Sequence, residues 1–136
     1  MTELVATTAF FNKTYEEALG LLIEARNYIA YQEAADMRDL SSDLRLIVSQ
    51  ESMRVTCRLT QVMAWMLCQR AVQTGEMTRE RALSDEFAIG GEEVCLDESW
   101  SARSDLPAAV TSLLDRSLRL YVRVRRLDEM LRRAAG

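Results

Sequence analysis

The residues able to do chemistry are few, and their types narrow the possibilities quickly. The 136-residue chain has no histidine, so nucleophilic catalysis of the serine–histidine or cysteine–histidine kind lacks its base. Cys57, Cys68 and Cys95 form no CxxC pair. Cys57 and Cys68 fall on one predicted helix, about 16 Å apart along its axis, too far to bond each other. All three read as reduced, structural thiols. A zinc site would have to combine these scattered thiols with carboxylates, and a helical di-iron site would need Glu-x-x-His pairs. Gly90–Gly91 is not followed by the Lys-Ser/Thr of a phosphate loop. The carboxylate neighbours Glu16/Glu17, Glu92/Glu93 and Asp97/Glu98 read as solvated charge rather than acid–base pairs. No catalytic residue, metal or cofactor is expected.

What remains is recognition. Arg116, Arg119, Arg123 and Arg126 share one face of a predicted C-terminal helix, but Asp115 and Glu129 interleave with them. With a net charge of −4 for the chain, a solvated helix face is favoured over a nucleic-acid footprint. Helical projection puts Trp65 among Glu51, Arg54, Arg58, Gln61 and Gln69, on the polar side of its helix. An aromatic flanked by arginines has the composition of a protein-interface anchor; packing beneath an acidic loop is the other reading of Trp65, and both stand. The candidate partner surface is therefore Arg54, Arg58 and Trp65 together with Arg116, Arg119 and Arg123. Asp128 projects between Tyr121 and Val124 on an apolar face, where a carboxylate needs a partner. In an up-down-up arrangement it lies level with Tyr28, Ser52, Arg54 and Thr56, and is expected to accept a hydrogen bond from an arginine or hydroxyl there.

These residues need long helices to hold them. The chain is 49% hydrophobic and 28% charged, with one proline and five glycines, which favours helices over a sheet and suits one domain spanning residues 1–136. Phe11, Tyr15, Ala18, Leu22, Ala25 and Ile29 recur every three or four residues, predicting a helix over 8–36. A second helix spans 44–74, capped by Ser42 with Asp43 and stopped by Gly75. Its apolar arc is unusually wide: one edge is Val48, Val55, Leu59, Val62 and Met66, and the other is Met53, Thr60, Ala64, Leu67 and Ala71. Such an arc serves two neighbours in a bundle or a dimer face equally well, and a homodimer is expected, with the Cys57/Cys68 side as a candidate edge. Thr78 caps a short extra helix reaching about Asp85, and 88–105 reads as an acidic loop. The third helix, 106–133, carries the cleanest stripe: Leu106, Val110, Leu113, Ser117, Leu120, Val124, Leu127 and Leu131. The expected fold is an all-α, three-helix, up-down-up bundle. No apolar run reaches the length of a membrane span, and the acidic start MTELVATTAFFNKTYEE is unlike a secretory signal, so a cytoplasmic protein is expected.

Two blocks carry a resemblance. ESMRVTCRLTQVMAWMLCQRAVQTGEMT at 51–78 and RSLRLYVRVRRLDEMLRR at 116–133 closely resemble the RcdA-like family, named for a bacterial regulator of CtrA degradation, and the likeness runs from about Phe10 to Leu131. The resemblance implies a three-helix-bundle homodimer that acts as an adaptor. Such an adaptor helps deliver cell-cycle regulators, as protease substrates, to ClpXP together with a CpdR-like adaptor. The family offers no catalytic motif to carry over. The sequence ends five residues after Leu131, so an adaptor of this kind that relied on a flexible C-terminal tail would have to manage without one. The alternative reading is a nucleic-acid-associated regulator using the arginine face of the third helix.

Overall fold

Three long helices dominate the computed structural model, which describes residues 2–136, with side chains from Thr8 onward. They are α1 (Thr2–Tyr31), α3 (Ser42–Gln73) and α6 (Ala108–Ala135). Among the described residues there is no strand. The first expected helix is interrupted: the backbone breaks at Gln32 and resumes as the short α2 (Glu33–Met37). Arg45 of α3 reaches back to donate to the carbonyls of Met37 (2.9 Å) and Arg38 (2.7 Å), satisfying acceptors that a helix C-terminus leaves open. The cap of α3 is Ser41 rather than Ser42, its Oγ accepting from the Leu44 amide at 3.2 Å. No glycine or proline interrupts α3, and Gly75, at φ 80°, turns the chain out of it. Thr78 caps α4 (Arg79–Ala82) through the Arg81 amide.

The order of the helices differs from the up-down-up expectation. Arg70 of α3 lies over the Tyr15 ring of α1, 4.9 Å from its centroid, and Ser52 and Val55 border the same small cavity as Ala25 and Tyr28. So α1 and α3 are antiparallel. On α6, however, Arg58 meets Leu114 and Trp65 meets Asp128, which makes α3 and α6 parallel. The bundle runs up-down-down. The cause is the connection over 74–107, which returns along α3 as far as Arg54 instead of turning tightly; long crossovers of this kind permit parallel neighbours.

That connection is also more ordered than an acidic loop. It holds α4, the helical turn α5 (Glu92–Cys95), and 3₁₀ turns at Asp85–Phe87 and Ser99–Ala102. Ile89, Cys95 and Trp100 from it are buried with the apolar residues of α3 and α6 in one cluster. In α1 the buried line is Thr14, Ala18, Leu21, Ala25 and Tyr28, so the expected stripe is rotated and Ile29 is exposed.

Candidate protein-interaction site

The second long helix presents its two sides the opposite way round from ordinary expectation. Its polar side is covered by the returning connection. Arg58 is fully buried, and its guanidinium donates to the carbonyls of Cys95 (2.7 Å), Asp97 (2.8 Å) and Leu114 (2.9 Å) and to Ser117 Oγ (3.3 Å). Burial pulls its pKa below the usual arginine value, and neighbouring Arg54 adds to that. One turn earlier, Arg54 pairs with Glu51 at 2.9 Å, lies 3.7 Å from an Asp97 oxygen and donates to the Val94 carbonyl. Burial opposes its charge, but the Glu51 hydrogen bond and charge, with Asp97, prevail and hold its pKa up.

The connection is pinned further along by Gly90. Its amide donates to Gln61 Oε1 (3.0 Å) and its carbonyl accepts from the Tyr121 hydroxyl (2.6 Å). Gly91 beside it sits at φ 75°, the left-handed region that favours glycine, and a Cβ there would crowd Cys95 Sγ at 3.2 Å. Burial raises the pKa of Tyr121 to about 12 and pushes the Cys95 thiol up as well.

Arg54, Arg58 and Trp65, expected to be a partner surface, are therefore interior. Helical projection placed them among polar neighbours correctly, but Arg54 and Arg58 are covered by a segment without periodicity, and Trp65 by α1 and α6. Trp65 packs against the Phe11 ring of α1, with centroids 6.0 Å apart, and donates from Nε1 to Asp128 Oδ1 at 2.9 Å. Asp128 also accepts from Arg132 Nε, 3.0 Å from each oxygen, while Arg132 itself holds the Leu83 carbonyl. The level of Asp128 is thus that of Trp65, not of Ser52, Arg54 and Thr56, because α6 runs parallel to α3.

Arg116 and Arg123 lie outside and bind α1. Arg116 grips Glu24 through both nitrogens, one at 2.7 Å, and Arg123 grips Glu17 at 2.9 and 2.7 Å. Arg119 pairs within its own helix with Asp115, 3.2 Å away. The Glu24 carboxyl is held below its ordinary pKa by the Arg116 hydrogen bond. Half-exposed pairs like these contribute little each, but they fix the antiparallel register of α1 on α6.

What α3 leaves in solvent is its second apolar edge. Leu46, Met53 and Leu67 are 70%, 72% and 51% exposed, and Gln50, Cys57, Thr60 and Ala64 stand between them, also exposed, with Ala71 half-buried. These positions alternate three and four apart from 46 to 71, the spacing of a helix–helix seam. Only Cys57 of the expected Cys57/Cys68 edge belongs to it, since Cys68 is buried. No metal-binding cluster of His, Cys, Asp or Glu occurs among the described residues. No helix among them is long and apolar enough to cross a membrane.

Comparison with known proteins agrees with this frame. A family model described as "Protein of unknown function (DUF1465)" matches residues 2–136. The crystal structure of RcdA from Caulobacter crescentus CB15 superposes with a TM-score of 0.73, at 38% sequence identity, over 89% of this chain and 89% of that one. No curated protein matches the chain. A family model spanning almost the full sequence and a solved relative of the same fold lead to one conclusion: the chain belongs to the DUF1465 family and is RcdA-like.

Proposed function

We propose that this protein is a non-enzymatic adaptor that acts in the cytoplasm as a homodimer and helps deliver cell-cycle regulators to the ClpXP protease alongside a CpdR-like adaptor. The observation that carries the reading is the likeness to RcdA, a regulator of CtrA degradation, at 38% identity over 89% of both chains. The interior supports it. Arg54, Arg58 and Tyr121 are spent on backbone carbonyls, and Asp128 on Trp65 and Arg132, so the polar groups most shielded from water serve the frame. The exposed seam of α3 supports self-association. In an antiparallel pairing about an axis between Cys57 and Thr60, Leu46 meets Ala71, Gln50 meets Leu67, and Met53 meets Ala64 of the second copy. Leu46 and Met53 then stand opposite alanines, as interdigitated packing favours.

The test is reconstitution. Purified ClpXP, a CpdR-like response regulator and a cell-cycle substrate should degrade the substrate several times faster when this chain is added. An unchanged rate with folded protein overturns the adaptor reading. Light scattering tests the dimer, and a 15.5 kDa particle at micromolar concentration removes it. Cys57 is the one exposed thiol of the three, so a short bis-maleimide should crosslink two chains through it. The nucleic-acid reading is weakened by Glu24 and Glu17, which already occupy Arg116 and Arg123. Duplex DNA affinity falling steeply with salt would restore it.

A further inference from the structure

On the side of α6 away from the connection, a shallow groove of about 580 Å³ runs beside α1. Its floor is Phe10, Leu118, Val122, Leu127 and Met130, and Arg119, Arg123 and Arg126 line it. Phe10 is 41% exposed and Met130 58%, so apolar surface is left open there. The arginines differ in commitment. Arg123 holds Glu17 and Arg119 holds Asp115, whereas Arg126 is in no ion pair among the described residues. From Leu118 to Met130 the groove follows about 18 Å of helix, some three turns.

We propose that this groove receives an acidic, amphipathic helical segment of a partner protein, its apolar stripe on the floor and its carboxylates on Arg126 and Arg119. The occupant is helical because α1 and α6 satisfy their own backbone and offer no free strand edge. A bound segment must therefore pair its own N–H and C=O groups. It is acidic because Arg126, beside the paired Arg119 and Arg123, leaves the groove with an excess positive charge against which a basic segment would be repelled. Glu17 and Asp115 on the same face disfavour a polyanion such as DNA or an anionic bilayer, which needs a continuous cationic surface. The inference rests on the protein-binding reading above and names the chemistry of one contact within it.

The probe is a fluorescein-labelled amphipathic peptide of about sixteen residues, with leucines at i, i+3, i+4 and i+7 and glutamates on the flanks. Fluorescence anisotropy should show saturable binding that Arg126→Glu and Met130→Asp each weaken about tenfold. The same peptide with lysines for glutamates should not bind. Leu67→Glu, on the opposite seam of α3, should leave binding unchanged. Both groove positions are exposed, and circular dichroism melting confirms that the variants fold. Equal binding of the acidic and basic peptides, no binding of either, binding indifferent to both substitutions, or tighter binding to duplex DNA or phosphatidylserine vesicles overturns the proposal. If the peptide fails while ClpXP-dependent degradation is still accelerated, the groove assignment falls and the adaptor reading stands.

Discussion

The two sides of α3 make an instructive pair. One carries Glu51, Arg54, Arg58 and Gln61 and is covered by the returning connection. The other carries Leu46, Met53, Ala64 and Leu67 and faces solvent. Hydrophobicity alone would reverse them. The polar side is stable inside because its guanidinium groups meet acceptors: Arg58 donates to carbonyls and a hydroxyl of neighbouring elements, and Arg54 to Glu51 on its own helix and to the Val94 carbonyl. The apolar side remains outside because α1 and α6 already occupy the remaining circumference of α3. A helix can thus bury charge wherever another segment supplies acceptors, and an exposed apolar edge is left as the surface most available to a second molecule.

The contrast is broken most severely at Arg58. Replacing it with methionine keeps much of the volume but takes the guanidinium from the carbonyls of Cys95 and Asp97 and from the Ser117 hydroxyl, whereas the Leu114 carbonyl keeps that hydroxyl as a donor. These acceptors are mostly backbone and cannot be removed with it. Urea denaturation should show a loss of about 3 kcal/mol or more. A loss below about 1 kcal/mol would mean that water replaces the guanidinium and that the connection is not locked by it.

Asp128→Ala comes next. It strands the buried Trp65 N–H and releases Arg132 from the polar cluster that also holds the Leu83 carbonyl. Stability should fall by about 1–3 kcal/mol, with a shift in Trp65 fluorescence. A melting curve that overlays the parent would show that the contact carries no weight.

Tyr121 sharpens the comparison through pH. Its folded pKa, about 12, lies above the ordinary value of 10.0 because burial, reinforced by Cys95 and Glu92, opposes the phenolate. The hydroxyl's contribution is therefore fully present below pH 10 and is lost as pH rises towards about 12. The urea midpoint of unfolding should fall over that window. Tyr121→Phe should cost about 1 kcal/mol at neutral pH and flatten the alkaline step. Parallel alkaline profiles for the two proteins would place the step in another group.

The smallest expected effect on stability belongs to the exposed edge. Leu67→Lys should change monomer stability by no more than about 0.5 kcal/mol, while shifting light scattering towards a single chain. A large stability loss without a change in particle size would show that Leu67 serves the fold rather than an interface.

Much of this molecule is determined locally. The absence of breakers over α3, the stripe from Val110 to Leu131, the stop at Gly75 and the start at Pro107 specify long helices, because helical periodicity and capping act within a few residues. The family resemblance is equally a property of the sequence, carried by 51–78 and 116–133. Direction, burial and partnership were decided only by tertiary packing. Residues 74–107 have no regular period, yet Ile89, Cys95 and Trp100 anchor that segment to the core. By returning along α3 it makes α6 parallel to α3 and brings Asp128 to Trp65 instead of Ser52. It also turns Arg54 and Arg58 from surface candidates into interior donors. The physical reason is that a guanidinium can be buried wherever carbonyls converge, and which carbonyls converge depends on segments distant in sequence, such as Arg58 and Leu114, that meet only in the folded chain.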